Sequence, residues 1–256
     1  MYKEADARVN VLEAGHRLVE KKLIARTWGN ISARTEGNSF IITPSGKSYD
    51  TIGPEDLCKV DLETLEYEGH FKPSVEKTLH AAAYRLRPEC NFVVHTHQFY
   101  ASAICAEEKD TDFAPCAKYG LSGSQKLADN VAEAIRNNPD CKMFLMAKHG
   151  AVCLGESYEE AFALAGELEE KCRELFEREK KKAKRPNAPW LDDYAQMFSC
   201  FNKPIKDEDM SAMELVRAKN TAAAQYVTKA GPVPFFRHIL EHSVYSMKYS
   251  KLKDKK

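Results

Sequence analysis

Two histidines, His95 and His97, stand two residues apart at the end of an apolar run, Phe92-Val93-Val94. Side chains at i and i+2 of an extended strand point to the same face, so a strand here converges both imidazoles on one spot. A helix would set them most of a half-turn apart. The apolar, β-branched lead-in favours a buried strand that leaves the core at the histidines and opens into a cavity. Imidazole is a favoured zinc ligand, and catalytic zinc commonly takes about three protein ligands with one position open. Histidines on a half-buried strand also serve as hydrogen-bonded structural residues, so this pair alone does not decide the matter.

The rest of the chain supplies further ligands. His149 ends a second apolar, strand-like run over 142–148 and is followed by Gly150. Glu76 lies in Pro73-Ser74-Val75-Glu76, which reads as a helix start. Ser74 is the expected N-cap there, and a carboxylate in the first turn suits the helix dipole. Three imidazoles and one carboxylate, from three segments that each end an element, suit a divalent transition metal, zinc above all. His80, four residues after Glu76 on the same helix face, reads as a core residue or a support behind the ligands. His16, His70, His238 and His242 show no partner pattern. A second set, Gly29, Asn30, Ser45, Gly46 and Ser74, combines approachable backbone N–H groups with short polar side chains, the chemistry that holds a phosphate. Each of these alone also reads as a turn or a cap.

The elements that position these residues follow from periodicity. An amphipathic helix is expected over 4–24, with Val9, Leu12, Val19 and Leu23 near helical spacing. Two antiparallel strands flank a turn at Thr35-Glu36-Gly37-Asn38, and another strand and hairpin follow around 57–67. A helix from Ser74 stops before Pro88. Helix follows the histidine pair over 98–106, then a short strand within 113–119, then a helix capped by Ser124. A long helix over 157–184 opens with Ser157-Tyr158-Glu159-Glu160, close to a capping box, and ends in a basic stretch that reads as a solvated helix end. Two more helices are expected over 207–230 and 235–248. The fold class is therefore α/β: residues 1–185 are expected to form one domain, and residues 186–256 a helical extension that packs on it or on another copy of the chain.

At 256 residues with 43% hydrophobic and 30% charged residues, the chain is expected to be globular with a good core. Its formal net charge of zero speaks against nucleic acid or an anionic membrane as the main partner. Eight cysteines without Cys-x-x-Cys spacing, and no evident signal peptide, suggest reduced thiols in the cytoplasm. No apolar run approaches the roughly 20 residues that span a bilayer.

In order and approximate spacing, the segments Gly29-Asn30-Ile31-Ser32, Thr43-Pro44-Ser45-Gly46, Pro73-Ser74-Val75-Glu76, His80, Val94-His95-Thr96-His97 and His149-Gly150 resemble the class II aldolase/adducin family over about residues 8–180. The resemblance implies a central, mainly antiparallel sheet between helical layers and a homotetramer with active sites between subunits. It implies Zn²⁺ held by His95, His97 and His149, with Glu76 as the acid/base carboxylate that ligates the metal until substrate binds. Gly29, Asn30, Ser45, Gly46 and Ser74 would line a phosphate pocket. The implied reaction is cleavage of a short ketose phosphate to dihydroxyacetone phosphate and an aldehyde, with the metal stabilising the enediolate and the carboxylate moving the proton. Dehydratase, decarboxylase, 4-epimerase and a non-catalytic adducin-like module stay open as alternatives on the same scaffold. Three departures stand out. Val75 replaces a serine common in the aldolases. The segment from His97 to Ser124 is short, with Tyr100 and Tyr119 near it. The longer C-terminal region carries Tyr226, Tyr245 and Tyr249.

Overall fold

Alternation along the strands sorts the side chains of one sheet onto two faces, and that sorting puts the chemistry on a single side. The computed structural model describes residues 1–24, 28–106 and 108–182. Helix α1 (Glu4–Glu20) leads into strands β1 (Asn30–Thr35), β2 (Ser39–Ile42), β3 (Cys58–Asp61) and the short β4 (Tyr67–Glu68). After α2 (Lys77–Leu86) come β5 (Phe92–Thr96), α3 (Phe99–Cys105), β6 (Cys116–Ala117) and α4 (Gln125–Asn137). Strands β7 (Met143–Met146) and β8 (Gly150–Gly155) and the long helix α5 (Tyr158–Lys182) complete the described elements.

The strands form an eight-stranded sheet in the order β4-β3-β2-β1-β5-β8-β7-β6. Its neighbours are antiparallel except β6 and β7. Phe92 and Val94 of β5 pack with α1, α3 and α5, whereas Val93 packs with α2 and α4. The period of two therefore assigns His95 to the α2/α4 face, together with Asn30 and Ser32 of β1. The register agrees, with Asn30 opposite His95 and Ser32 opposite Val93. Both layers are dry: Leu79, Tyr84 and Val131 on one side and Val11, Leu18 and Leu168 on the other are fully buried. Truncating such an aliphatic side chain to alanine costs roughly 2–5 kcal/mol, so the two cores fix the sheet that carries the site.

The expected elements before residue 182 are present, with two adjustments. Helix α2 begins at Lys77 and has Glu76 in the N-cap position without a side-chain cap. Ser74 is not its N-cap. Its hydroxyl accepts from the Glu76 N–H at 3.2 Å, closing a local turn, while its own N–H is tied to the Thr43 carbonyl at 3.0 Å. That cross-link to the loop after β2 holds Ser74 two residues before the N-cap position. The strand expected within 113–119 contracts to two residues, Cys116 and Ala117. Ser124 does cap α4, accepting from the Leu127 N–H at 3.2 Å. At the start of α5, the Ser157 hydroxyl accepts from the Glu160 N–H at 3.3 Å, and the Glu160 carboxylate accepts from the N–H of Glu156 at 2.7 Å. The helices expected over 207–230 and 235–248, and with them Tyr226, Tyr245 and Tyr249, lie outside the described residues.

Candidate metal centre

His95, His97 and His149 each offer a ring nitrogen, and the three atoms lie within 4.8 Å of one another. His95 leaves the end of β5 with its side chain on the α2/α4 face, and His97 follows two residues on, just past the strand. His149 sits in the tight turn from β7 to β8, where Lys148 at φ 54° reverses the chain. Ring centroids are 4.7 Å apart for His95 and His97, 5.1 Å for His95 and His149, and 4.9 Å for His97 and His149. His95 and His149 are buried, and His97 is half-buried and edged by the Trp28 ring.

Glu76 closes the group from the start of α2. Its Oε2 is 3.1 Å from His95 Nε2 and its Oε1 is 3.0 Å from His149 Nε2. Burial pushes the carboxyl up, but the two imidazoles beside it outweigh burial and hold it well below the usual carboxylate range. Burial disfavours a charged His95 ring, and the Glu76 carboxylate outweighs that in turn and raises its pKa. Two further donors fix Glu76: the Asn30 amide donates to Oε2 at 2.8 Å, and the Ser122 hydroxyl donates to Oε1 at 2.8 Å.

The tautomer of His95 tests whether this cluster suits a cation. Its Nδ1 lies 2.8 Å from the Ala151 carbonyl, an acceptor, so Nδ1 carries a hydrogen and the neutral ring turns its Nε2 lone pair to the cluster. His149 Nε2 is 3.3 Å away. Two nitrogens each about 2.0–2.1 Å from one ion at a tetrahedral angle stand about 3.3 Å apart. Lone pairs and a carboxylate converging at this spacing repel unless positive charge lies among them, and that is the donor chemistry of a metal site.

The sequence profile of the class II aldolase and adducin N-terminal domain matches residues 9–176. The chain belongs to this family. Among its relatives is a 5-methylthioribulose-1-phosphate/5-deoxyribulose-1-phosphate aldolase of Escherichia coli O45:K1, 36% identical over 155 residues, 56% of this chain and 70% of the relative. A 3-oxo-tetronate 4-phosphate decarboxylase of Escherichia coli O6:H1 is 32% identical over 164 residues, 58% of this chain and 76% of the relative. The crystal structure of the L-fuculose-1-phosphate aldolase from Thermus thermophilus superposes with a TM-score of 0.59 at 30% identity, covering 70% of this chain and 97% of that one. Class II aldolases are metal-dependent, and the three histidines are the group that could hold the ion here.

Within this class II aldolase fold, the five residues expected to bind an anion come from three segments knitted together at Thr43. Thr43 N–H donates to the Ile31 carbonyl at 3.1 Å, its carbonyl accepts from Ser74 N–H at 3.0 Å, and its hydroxyl accepts from Ile31 N–H at 3.2 Å. Ser45 and Gly46 are exposed in the following loop, with Gly46 at φ +71°. Gly29, at φ +98°, lies so close to β5 that a Cβ would meet the His95 carbonyl oxygen at 2.6 Å. Asn30 is 6% exposed, and both ends of its amide are engaged, by Glu76 and by His80. Val75 is 60% exposed on the surface outside Glu76.

Sequence reading missed Ser122. It falls in Gly120-Leu121-Ser122-Gly123-Ser124, which signals only a turn, and 46 residues separate it from the carboxylate it holds. His80 is fully buried, and its side chain reaches the Glu76 carboxylate through the Asn30 amide. Tyr100 packs on Phe99 and Phe176 on the α3/α5 side, on the sheet face away from Glu76. No described helix is long and apolar enough to cross a membrane.

Proposed function

We propose that this chain, a lyase of the class II aldolase family, is a zinc-dependent aldolase that cleaves a short ketose phosphate of the fuculose-1-phosphate kind to dihydroxyacetone phosphate and an aldehyde. The observation that carries the reading is the buried Glu76 carboxylate, within 3.1 Å of two of the three clustered histidines. In this reading His95, His97 and His149 hold Zn²⁺, with Glu76 as a further ligand in the absence of substrate. Bound zinc supplies Lewis-acid stabilisation of the negative charge that develops when the carbon–carbon bond breaks.

The protein's own groups do the rest. Glu76, kept ionised beside the imidazoles, accepts and returns the proton. Asn30 and Ser122 hold its two oxygens in place. Gly29, Asn30, Ser45, Gly46 and Ser74 receive the phosphate, the loop glycines letting the backbone N–H groups approach the oxygens closely. In this reading residues 1–185 constitute the catalytic domain. The reading includes a homotetramer, and a cytoplasmic location with which the seven unpaired cysteines among the described residues are in keeping.

A second reading, decarboxylation of a sugar-acid phosphate, is favoured by the relative named for that activity. Incubating the zinc-loaded protein with a panel of ketose 1-phosphates and 3-oxo acid phosphates separates the two. Release of dihydroxyacetone phosphate is expected. Release of carbon dioxide without it replaces the aldolase reading by the second, and turnover of neither class removes both.

A further inference from the structure

Behind Glu76 a buried hydrogen-bonded chain runs along the face of α2 that meets β1. Its links are Glu76 Oε2 to Asn30 Nδ2 at 2.8 Å, Asn30 Oδ1 to His80 Nε2 at 2.5 Å, His80 Nδ1 to Ser32 Oγ at 2.7 Å, and Ser32 Oγ to Tyr84 Oη at 2.6 Å. Each of these five residues is buried. The chain crosses between α2 and β1 four times, linking helix residues four apart to strand residues two apart.

Donor and acceptor inventories leave one arrangement of hydrogens. A carboxylate only accepts, so Asn30 turns its NH₂ to Glu76 and its carbonyl oxygen to His80. That oxygen also only accepts, so His80 carries its hydrogen on Nε2. In a neutral ring that hydrogen leaves Nδ1 as an acceptor, 2.7 Å from the Ser32 hydroxyl. Ser32 must then donate to Nδ1 and accept from the Tyr84 hydroxyl. Tyr84, whose pKa burial raises well above its ordinary value, ends the chain as a donor. A reversed Asn30 amide would set its oxygen against the carboxylate and leave two N–H donors facing each other at His80.

We propose that His80, keyed by Ser32 and Tyr84, is a positioning residue: it locks the Asn30 amide with its N–H groups toward Glu76 and so fixes the carboxylate against the metal cluster. The inference rests on the reading of Glu76 as the acid/base group. Removing a support of this kind typically costs roughly 10- to 100-fold in activity or metal affinity.

Nitrogen-15 NMR of histidine- and asparagine-labelled, metal-free full-length protein tests the arrangement without turnover. The expected result is an Nε2–H tautomer for His80 at pH 7, with an Asn30 side-chain amide signal that shifts in His80→Phe and returns in His80→Gln, whose amide can again donate to Asn30. With zinc, His80→Phe is expected to keep its metal stoichiometry and lose roughly 10- to 100-fold in kcat, and His80→Gln to recover most of it. A His80 ring without a hydrogen on Nε2, a His80→Phe chain as fast as wild type, or a His80→Gln chain no better than His80→Phe would overturn the proposal. If the wild-type chain cleaves no ketose phosphate, the function reading fails on its own, and the two NMR readouts decide whether His80 orients Asn30.

Discussion

Gly150 presses so closely on β5 that a Cβ at this position would stand 2.4 Å from the carbonyl oxygen of Thr96, between the two strand histidines. The clash is with backbone, which cannot swing aside as a side-chain tip can. Gly150→Ala must therefore part β5 and β8 at the point where β8 receives the chain from His149. Overpacking of this kind costs about 1–3 kcal/mol. We expect urea unfolding to show a loss of that size together with weaker zinc retention against a chelator. Unchanged zinc affinity in a destabilised variant would mean that the ligand cluster does not depend on this contact.

Each histidine of the cluster is expected to be required for metal. In His95→Ala, His97→Ala and His149→Ala the zinc content per chain should fall below stoichiometry. The loss of affinity should exceed the roughly 10- to 100-fold typical of groups one layer further out. His16→Ala is the control: its Nε2 lies 2.9 Å from the Tyr49 carbonyl, on α1 and away from the cluster, so zinc content should not change. Elemental analysis of the four purified variants decides this, and full zinc in any of the first three removes that residue from the ligand set.

Glu76→Gln tests the proton-transfer role separately from metal binding. The amide keeps the shape of the carboxylate and can still meet Ser122, but it cannot take a proton. General acid–base groups typically contribute about 10²- to 10⁴-fold. We expect kcat on the productive ketose phosphate to fall by that order while the three histidines still retain zinc. A variant within a few-fold of wild type would transfer the role to another group.

Much of this site is legible in the sequence because it obeys a period. The alternation that buries Phe92 and Val94 on one face necessarily places His95 on the other, and the apolar runs before His95 and His149 mark them as strand ends. What no period encodes is long-range pairing. Ser122 carries no signal beyond its turn, and only the packing of the loop before α4 brings it to Glu76. Asn30 reads as an anion ligand beside a glycine, whereas the β1–β5 register places it opposite His95 and turns its amide to Glu76 and His80. Ser74 reads as an N-cap from its type and spacing, and a tertiary hydrogen bond to Thr43 overrides that local preference. Local chemistry names the candidates, and tertiary contacts assign their partners.

A last expectation concerns α3, the helix that leaves the histidine strand. The Glu169 carboxylate on α5 accepts from the N–H groups of Tyr100 at 2.9 Å and Ala101 at 3.0 Å, satisfying the first turn of α3. Burial raises its pKa from 4.5 to about 6 despite those donors. The folded state thus holds this proton more tightly than the unfolded chain. Its contribution to stability is fully present below the unfolded value and is lost as pH rises through about 6. The interval corresponds to roughly 2 kcal/mol. Other carboxylates titrate in the same range, so the measurement is a difference: unfolding free energies of wild type and Glu169→Gln from urea titrations at several pH values. The wild-type advantage is expected to grow by roughly 2 kcal/mol between pH 7 and the unfolded pKa. A difference that stays flat, or shrinks as the solution is acidified, would show that Glu169 is not held in the environment described.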